Sequence, residues 1–146
     1  EAYKNKIHVV KKAIEINKPD PNDPVDVIAK VGGLDIAGLV GCFLGAAIHR
    51  IPILIDGFIS ATAALAAIRI NPRARDFIFT SHGSAEPGNL TVMNALGMEP
   101  MLNLGMRLGE GTGAALGFQV LDAAFAAYYR MGTFEDATID PYVPQE

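Results

Sequence analysis

A single carboxylate set between glycines is the feature of this sequence with the clearest chemical potential. It belongs to Glu110, and it lies within residues 106–113, whose sequence is MRLGEGTG. The three glycines of that run lack a Cβ, so the backbone can take positive φ there and a ligand can approach it closely. A helical pattern of apolar residues then runs from residue 114 to 131. We therefore expect Glu110 to lie in or just before the first turn of a helix.

Two interpretations of Glu110 follow from this position. Unpaired N–H groups and the positive end of the helix dipole favour an ionised carboxylate, which would be available as a general base. Acidic residues are also common in first turns because they stabilise the helix, and glycine-rich segments are often only tight turns. The residues that surround Glu110 in space must decide between the two.

The elements that would position Glu110 follow a repeated order of strand, loop and helix. Residues 51–55 and 77–80 are short apolar runs typical of strands buried in a parallel sheet, and 101–104 indicates a third, shorter strand. A helix over residues 58–70 joins the first two. Ligands bind at the carboxyl ends of parallel strands, so the loops at 56–57, 81–88 and 105–113 are expected to converge there. The sequence thus predicts an α/β fold.

Helices dominate the first third of the chain. Residues 5–17 have the spacing of an amphipathic helix, and a shorter helix is predicted over 25–31 after a proline-rich connection. Residues 34–50 predict a nearly all-apolar helix, in which Gly38, Gly41 and Gly45 share one face. We expect that face to pack closely against a neighbouring backbone. Cys42, within the same run, is expected to be a buried thiol of a cytoplasmic protein.

Polar residues at two strand ends leave alternatives open. The Asp56 carboxylate is expected either to be solvated at the sheet edge or to reach a ligand hydroxyl or a neighbouring loop. Ser81, Gly83 and Ser84 offer hydroxyls and N–H groups ahead of a helix expected near Glu86, which suits a phosphate. The alternative for these residues is an ordinary helix cap, with Ser84 as the capping residue.

Composition and residue spacing exclude several other functions. The chain has 146 residues, half of them apolar, and a formal charge of −4, which predict one domain over residues 1–146 without a nucleic-acid surface. No apolar run is long enough to span a bilayer. The three histidines lie far apart without ligand spacing, so no metal site is expected, and no serine or cysteine nucleophile is indicated. General-base chemistry on a phosphorylated ligand remains.

Several motifs occur in order along the chain. They are Met98-Glu99-Pro100, Met106 to Ala115, Lys30-Val31-Gly32-Gly33, Leu54-Ile55-Asp56-Gly57-Phe58, Ser81-His82-Gly83-Ser84-Ala85-Glu86 and the leading helix with Lys6. Together they resemble one family, the nicotinate-nucleotide–dimethylbenzimidazole phosphoribosyltransferases of cobalamin lower-ligand synthesis. The resemblance covers nearly the whole chain without evident gaps.

This resemblance implies a parallel sheet of doubly wound, Rossmann-like character with helices on both faces, a small helical subdomain and a homodimer. It implies that Glu110 takes a proton from one benzimidazole nitrogen while the other nitrogen attacks the anomeric carbon of nicotinate mononucleotide. Nicotinate leaves and the α-ribotide forms without any cofactor. The resemblance also implies that Lys6 and Ser84 lie near the phosphate, and that Asp56, Gly57 and Leu108 lie around the pocket. We expect the aromatic base to bind against apolar side chains, with Leu108 and nearby methionines among them.

The resemblance matches the carboxyl-terminal part of the family, and the chain starts at Glu1. An upstream glycine-rich loop that completes the phosphate and ribose site in the family is therefore expected to be missing. A second hypothesis follows, in which these residues form a noncatalytic fragment or a dimerisation or binding module that retains part of the pocket.

Overall fold

The structure, a computed structural model, describes residues 1–138, 140 and 144. Its helices and strands alternate as the sequence predicts for an α/β fold. In chain order they are α1 (Ala2–Asn17), α2 (Pro24–Val31), α3 (Leu34–His49), β1 (Ile53–Ile55), α4 (Phe58–Ile70), a 3-10 helix (Pro72–Phe77), β2 (Ile78–Thr80), α5 (Asn89–Leu96) and α6 (Thr112–Arg130).

The two strands pair in parallel, with Ile53 opposite Ile78 and Ile55 opposite Thr80. Successive side chains of a strand point to opposite faces, so Ile55 and Ile78 share one face while Leu54 points to the other. Four of the six strand residues are buried, whereas Phe79, on the same face as Leu54, is 37% exposed. The predicted parallel α/β fold is confirmed.

The main core covers the Ile55 face of the sheet. It joins α3, α4 and α5, and its centre is α4, where Ala61, Ala63, Ala64 and Ala67 have no exposed surface. Alanine is a strong helix former and its small side chain allows neighbouring helices to approach closely. Phe43 of α3 belongs to the same core and is one of its largest fully buried side chains. The strand ends are therefore fixed by close packing beneath them.

Helix α6 covers the opposite face of the sheet through a glycine. A Cβ at Gly117 would come within 2.5 Å of Leu54 Cδ2 and 3.1 Å of Ser81 Cβ, so only glycine allows this approach. Gly113 and Gly117 are the buried positions of α6. The start of this helix is thereby held against the ends of both strands, which is the arrangement that the Glu110 loop requires.

Helices α1 and α2 form a pair beside the core, which corresponds to the small helical part implied by the resemblance. The Asp23 carboxylate caps α2 by accepting the N–H groups of Val25 and Asp26, and Pro24 occupies the first helical position. Helix α1 contacts α2 and contributes no buried residue. Lys6 therefore lies on an exposed helix at the side of the molecule.

The structure differs most from the predicted elements in three places, and the other predicted ends shift by at most two residues. The expected strand at 101–104 is reduced to one parallel bridge between Leu102 and His82, because Pro100 has no N–H to donate and Gly105 turns the chain at φ 64°. Helix α1 begins at Ala2, three residues before the predicted start. The helix expected near Glu86 begins at Asn89 with Gly88 as its N-cap, so Ser84 does not cap it.

The glycine face of α3 has no neighbour in the part of the chain that the structure describes. A Cβ at Gly38, Gly41 or Gly45 would meet no atom within 4 Å. Cys42 lies on this open side and is exposed in the part of the chain that the structure describes. The prediction that its thiol is buried is therefore wrong. Periodicity identifies a smooth face correctly but does not indicate whether this chain covers it. None of the helices within the described residues is long and apolar enough to cross a membrane.

Candidate functional site

A cleft of about 430 Å³ lies at the carboxyl ends of the two strands. The three loops predicted to converge do so here. Residues 56–60 follow β1, His82, Ser84 and Glu86 follow β2, and 107–110 precede α6. A hydrogen bond from the Ala85 N–H to the Met106 carbonyl (3.1 Å) joins the second loop to the third. Leu39 of α3 completes the lining.

Glu110 occupies the left-handed region of the Ramachandran plot between two glycines that do the same. The φ angles are 78° at Gly109, 58° at Glu110 and 81° at Gly111. A residue other than glycine in this region costs about 1–2 kcal/mol, a strain typical of functional sites. Thr112 closes the turn by donating its N–H and its hydroxyl to the Gly109 carbonyl. The prediction that Gly109 and Gly111 take positive φ is confirmed.

The amino end of α6 is capped by Asp56, which is distant in the sequence. Asp56 Oδ2 accepts the N–H of Gly111 and Oδ1 accepts the N–H of Ala114, each at 3.0 Å. The Asp56 carboxylate was expected to be solvated or to reach either a ligand hydroxyl or a neighbouring loop, and in the structure it binds the neighbouring loop. Two of the N–H groups at this helix end, those of Gly111 and Ala114, are therefore occupied by another acid. The Glu110 side chain is exposed at the cleft and has no hydrogen-bond partner among the described residues.

Gly113 has a different function from the two glycines before it. It has no positive φ, and its lack of a Cβ makes room for His82, whose Nδ1 would lie 1.8 Å from an added methyl. The His82 side chain is only 5% exposed, and its Nδ1 lies 3.3 Å from Ser81 Oγ. Ser81 Oγ in turn donates to the Asp56 carbonyl. The loop after β2 is thus packed directly against the start of α6.

Three main-chain N–H groups of the loop after β2, where a phosphate site is expected, already have acceptors in the structure. The Gly83 N–H donates to the Leu102 carbonyl, the Ala85 N–H donates to Met106, and the Glu86 N–H donates to Ser84 Oγ at 3.3 Å. Ser81 is 1% exposed and does not line the cleft. The Ser84 side chain does line it, so its hydroxyl remains available to a ligand.

The predicted site residues divide into two groups. Asp56, Gly57, Ser84, Leu108 and Glu110 line the cleft together, whereas Ser81 lies behind it and Lys6 lies away from it on α1. The lining residues that sequence reasoning left without a role are Leu39, Phe58, Ile59, Ser60, His82, Glu86 and Arg107. Their position within or beside the three predicted loops was the available signal for all but Leu39.

The apolar wall of the cleft comes from Leu39, Phe58, Ile59 and Leu108. The methionines expected beside Leu108 do not line the cleft within the described residues. Phe58 is held in place because its ring lies against Gly88, where a Cβ would come within 2.7 Å of Phe58 Cζ. The cleft therefore combines apolar side chains with charged ones, among them those of Arg107, Glu86 and Glu110. Within the described residues no cluster of His, Cys, Asp and Glu could hold a metal ion.

Comparison with known proteins assigns the chain to a family. A family model described as phosphoribosyltransferase matches residues 1–139. The chain belongs to this phosphoribosyltransferase family. Among curated relatives, the nicotinate-nucleotide–dimethylbenzimidazole phosphoribosyltransferase of Acetivibrio thermocellus is 68% identical over 99% of this chain and 41% of its own length. The relative of the same name from Clostridium acetobutylicum is 66% identical, again over 99% of this chain and 41% of its own.

Solved structures agree with the fold of this phosphoribosyltransferase family member. A crystal structure of the nicotinate-nucleotide–dimethylbenzimidazole phosphoribosyltransferase of Thermus thermophilus is 39% identical, with a TM-score of 0.76. The match covers 82% of this chain and 36% of that one. A structure of CobT from the same organism has a TM-score of 0.77 over 84% of this chain. The chain thus spans about 41% of the length of the first curated relatives.

Proposed function

We propose that this cleft contributes to transfer of the phosphoribosyl group of nicotinate mononucleotide to 5,6-dimethylbenzimidazole or a related base. The products would be α-ribazole 5′-phosphate and nicotinate, a step in cobalamin lower-ligand synthesis. The observation that supports this most is the Glu110 carboxylate, which is exposed without a hydrogen-bond partner among the described residues and lines the same cleft as several apolar side chains. The names of the curated relatives supply the substrates.

In this proposal Glu110 is the general base. When one benzimidazole nitrogen bonds to the anomeric carbon, the ring gains positive charge, and removal of the proton on the other nitrogen relieves it. A carboxylate at that nitrogen therefore stabilises the transition state more than the bound substrates. The bond from the sugar to the pyridine nitrogen of nicotinate breaks as the new bond forms, and the electron pair leaves with nicotinate. Holding both reactants in line contributes further, since they need not meet by diffusion.

The walls of the cleft suit the two substrates differently. The ring of the base would lie against Phe58 and Leu108, with Gly57 leaving space near the main chain. The Arg107 guanidinium and the Ser84 hydroxyl are the groups in the cleft that suit a phosphate, because a cation and a hydroxyl both donate hydrogen bonds to it. Lys6, which the resemblance assigns to the phosphate, lies on α1 and would need another arrangement of subunits or segments to reach it.

We propose that the protein is a cytoplasmic homodimer. Large apolar side chains are exposed on two helices, with Leu34 93% and Ile48 76% exposed on α3 and Tyr128 81% exposed on α6. Patches of this kind on a soluble chain usually mark interaction surfaces, and two-fold dimers are the commonest solution. We expect sedimentation of the purified chain to give at least the mass of a dimer. A monomer at all concentrations would contradict the proposal.

The alternative is a noncatalytic module, and two observations favour it for the isolated chain. Arg107 is the one Arg or Lys that lines the cleft within the described residues, whereas a phosphate dianion is usually held by several donors. The curated relatives also contain more than half of their length outside the matched segment. The isolated chain could then bind the aromatic base and form dimers without catalysing transfer.

The test uses a hybrid enzyme, in which this chain replaces the matched segment of the Acetivibrio thermocellus relative. We expect the hybrid to convert nicotinate mononucleotide and dimethylbenzimidazole to the α-ribotide at a rate close to that of the relative. The isolated chain is expected to give no detectable product. Chromatography of the ribotide with mass detection measures both. A correctly folded hybrid without turnover would contradict the proposed function, and turnover by the isolated chain would show that these residues suffice.

A further inference from the structure

We propose that Asp56 is a positioning residue for Glu110, acting through the main chain of the loop, and is not a ligand for the substrates. The inference rests on the proposed function, since it assigns how the base of that reaction is held. Its basis is one juxtaposition: the carboxylate at the end of β1 accepts hydrogen bonds from the loop that carries Glu110 and from the first turn of α6.

The Asp56 carboxylate is held rigidly by its own main chain. It follows directly after Ile55, which is 3% exposed and pairs with Thr80 of β2. The Asp56 N–H donates to Ser60 Oγ at 2.9 Å, and the Asp56 carbonyl accepts from Ser81 Oγ at 3.3 Å. The strand, the helix that follows it and the neighbouring strand end therefore all fix this residue. Because the Asp56 main chain is fixed, its carboxylate can hold the groups that donate to it in a defined position.

Its partner is the peptide unit that joins Glu110 to Gly111. The Gly111 N–H belongs to that peptide unit, so its bond to Asp56 Oδ2 fixes the plane from which the Glu110 side chain projects. The bond from the Ala114 N–H to Oδ1 fixes the first helical turn relative to the same carboxylate. Both oxygens are thus engaged with the main chain. The Glu110 side chain itself has no hydrogen-bond partner within the described residues, so its orientation depends on this backbone.

The backbone needs such support because three consecutive residues, 109–111, lie in the left-handed region. A run of left-handed residues of this length is stable only where the surrounding structure imposes the conformation. Thr112 closes the turn from one side through the Gly109 carbonyl, and Asp56 holds it from the other. Loss of the Asp56 carboxylate would release the loop and move the base relative to the ring nitrogen, while the walls that bind the ring would stay.

The test is a double-mutant cycle in the hybrid enzyme with Asp56→Asn, Glu110→Gln and both together. The Asn amide can accept one of the two N–H groups but presents its own N–H₂ to the other, so one bond is lost. We expect kcat of Asp56→Asn to fall by up to about 10²-fold, the loss that follows a small misplacement of a reacting group. The KM of each substrate is expected to stay unchanged. In the Glu110→Gln background, Asp56→Asn should cost nothing further, because there is no base left to position.

Thr112→Val is the matched variant, because it removes the other side-chain hydrogen bond to the loop. It should lower kcat in the same way as Asp56→Asn. This loss too should vanish in the Glu110→Gln background. If Asp56→Asn does not fold, as judged by circular dichroism and thermal unfolding, Asp56→Ser keeps an acceptor without the opposing amide. A raised KM with unchanged kcat would make Asp56 a substrate ligand, and additive losses in the double mutant would make its effect independent of Glu110; either result overturns the inference. Turnover by the unmutated hybrid tests the proposed function separately.

Discussion

Replacing Glu110 by Gln in the hybrid enzyme is expected to lower kcat by about 10²–10⁴-fold, the usual loss when a general base is removed. Gln has nearly the shape of Glu and retains the same exposed position, so neither the cleft nor the left-handed loop should change. The amide has no basic oxygen comparable to a carboxylate, so the proton on the ring nitrogen would have to leave to water. The KM of the aromatic base should change little, because the apolar wall binds it.

The measurement is a steady-state assay of α-ribotide formation for three variants. Glu86→Gln removes the other glutamate carboxylate that lines the cleft, and Glu135→Gln removes one on the exposed segment after α6. We expect the largest loss by far at Glu110 and no change at Glu135. A greater loss at Glu86 than at Glu110 would identify Glu86 as the better candidate for the base. Wild-type turnover in Glu110→Gln, with chemistry shown to be rate-limiting, would remove Glu110 from the mechanism.

Gly113→Ala is expected to have the largest effect on stability among the glycine variants. The added methyl would fall 1.8 Å from Nδ1 of the buried His82 ring, so the ring or the start of α6 must move. Forcing an additional group into a packed region typically lowers the free energy of unfolding by about 1–3 kcal/mol, and we expect the upper part of this range. Because α6 begins beside the Glu110 loop, kcat in the hybrid should fall as well.

Gly41→Ala is the matched control for this variant. Gly41 also lies within a helix, but a Cβ there meets no atom within 4 Å. Exchange of an interior helical glycine for alanine should stabilise the monomer by about 0.5–1 kcal/mol, measured at a protein concentration too low for the dimer. Urea unfolding of both variants is compared with that of the unmutated chain. The free energy of unfolding should fall in Gly113→Ala and rise in Gly41→Ala. An unchanged unfolding midpoint for Gly113→Ala would show that His82 can leave its place against α6 at little cost.

The amino-acid sequence by itself determined the elements and the edge at which the site forms. Short β-branched runs and an alanine-rich helix identify their own structure because periodicity is a local property, and the predicted range of α4 agrees with the observed helix Phe58–Ile70. The convergence of the loops followed from the geometry of any parallel sheet, which places the carboxyl ends of its strands together. The left-handed glycines on either side of Glu110 were also predictable, because only glycine takes that conformation without strain.

The tertiary structure alone decided which groups meet at that edge. Asp56 caps a helix that begins more than fifty residues later, and its hydrogen bonds to Gly111 and Ala114 span 55 and 58 positions of the chain. The sequence could indicate that Asp56 ends a strand but not which N–H groups it reaches. Gly113 likewise proved to be required by the ring of His82 and not by a positive φ. The glycine face of α3 has no neighbour among the described residues. Periodicity shows that a face is smooth, but it does not show what lies opposite. Such contacts depend on how distant segments are brought together, and no local pattern of residues encodes that placement.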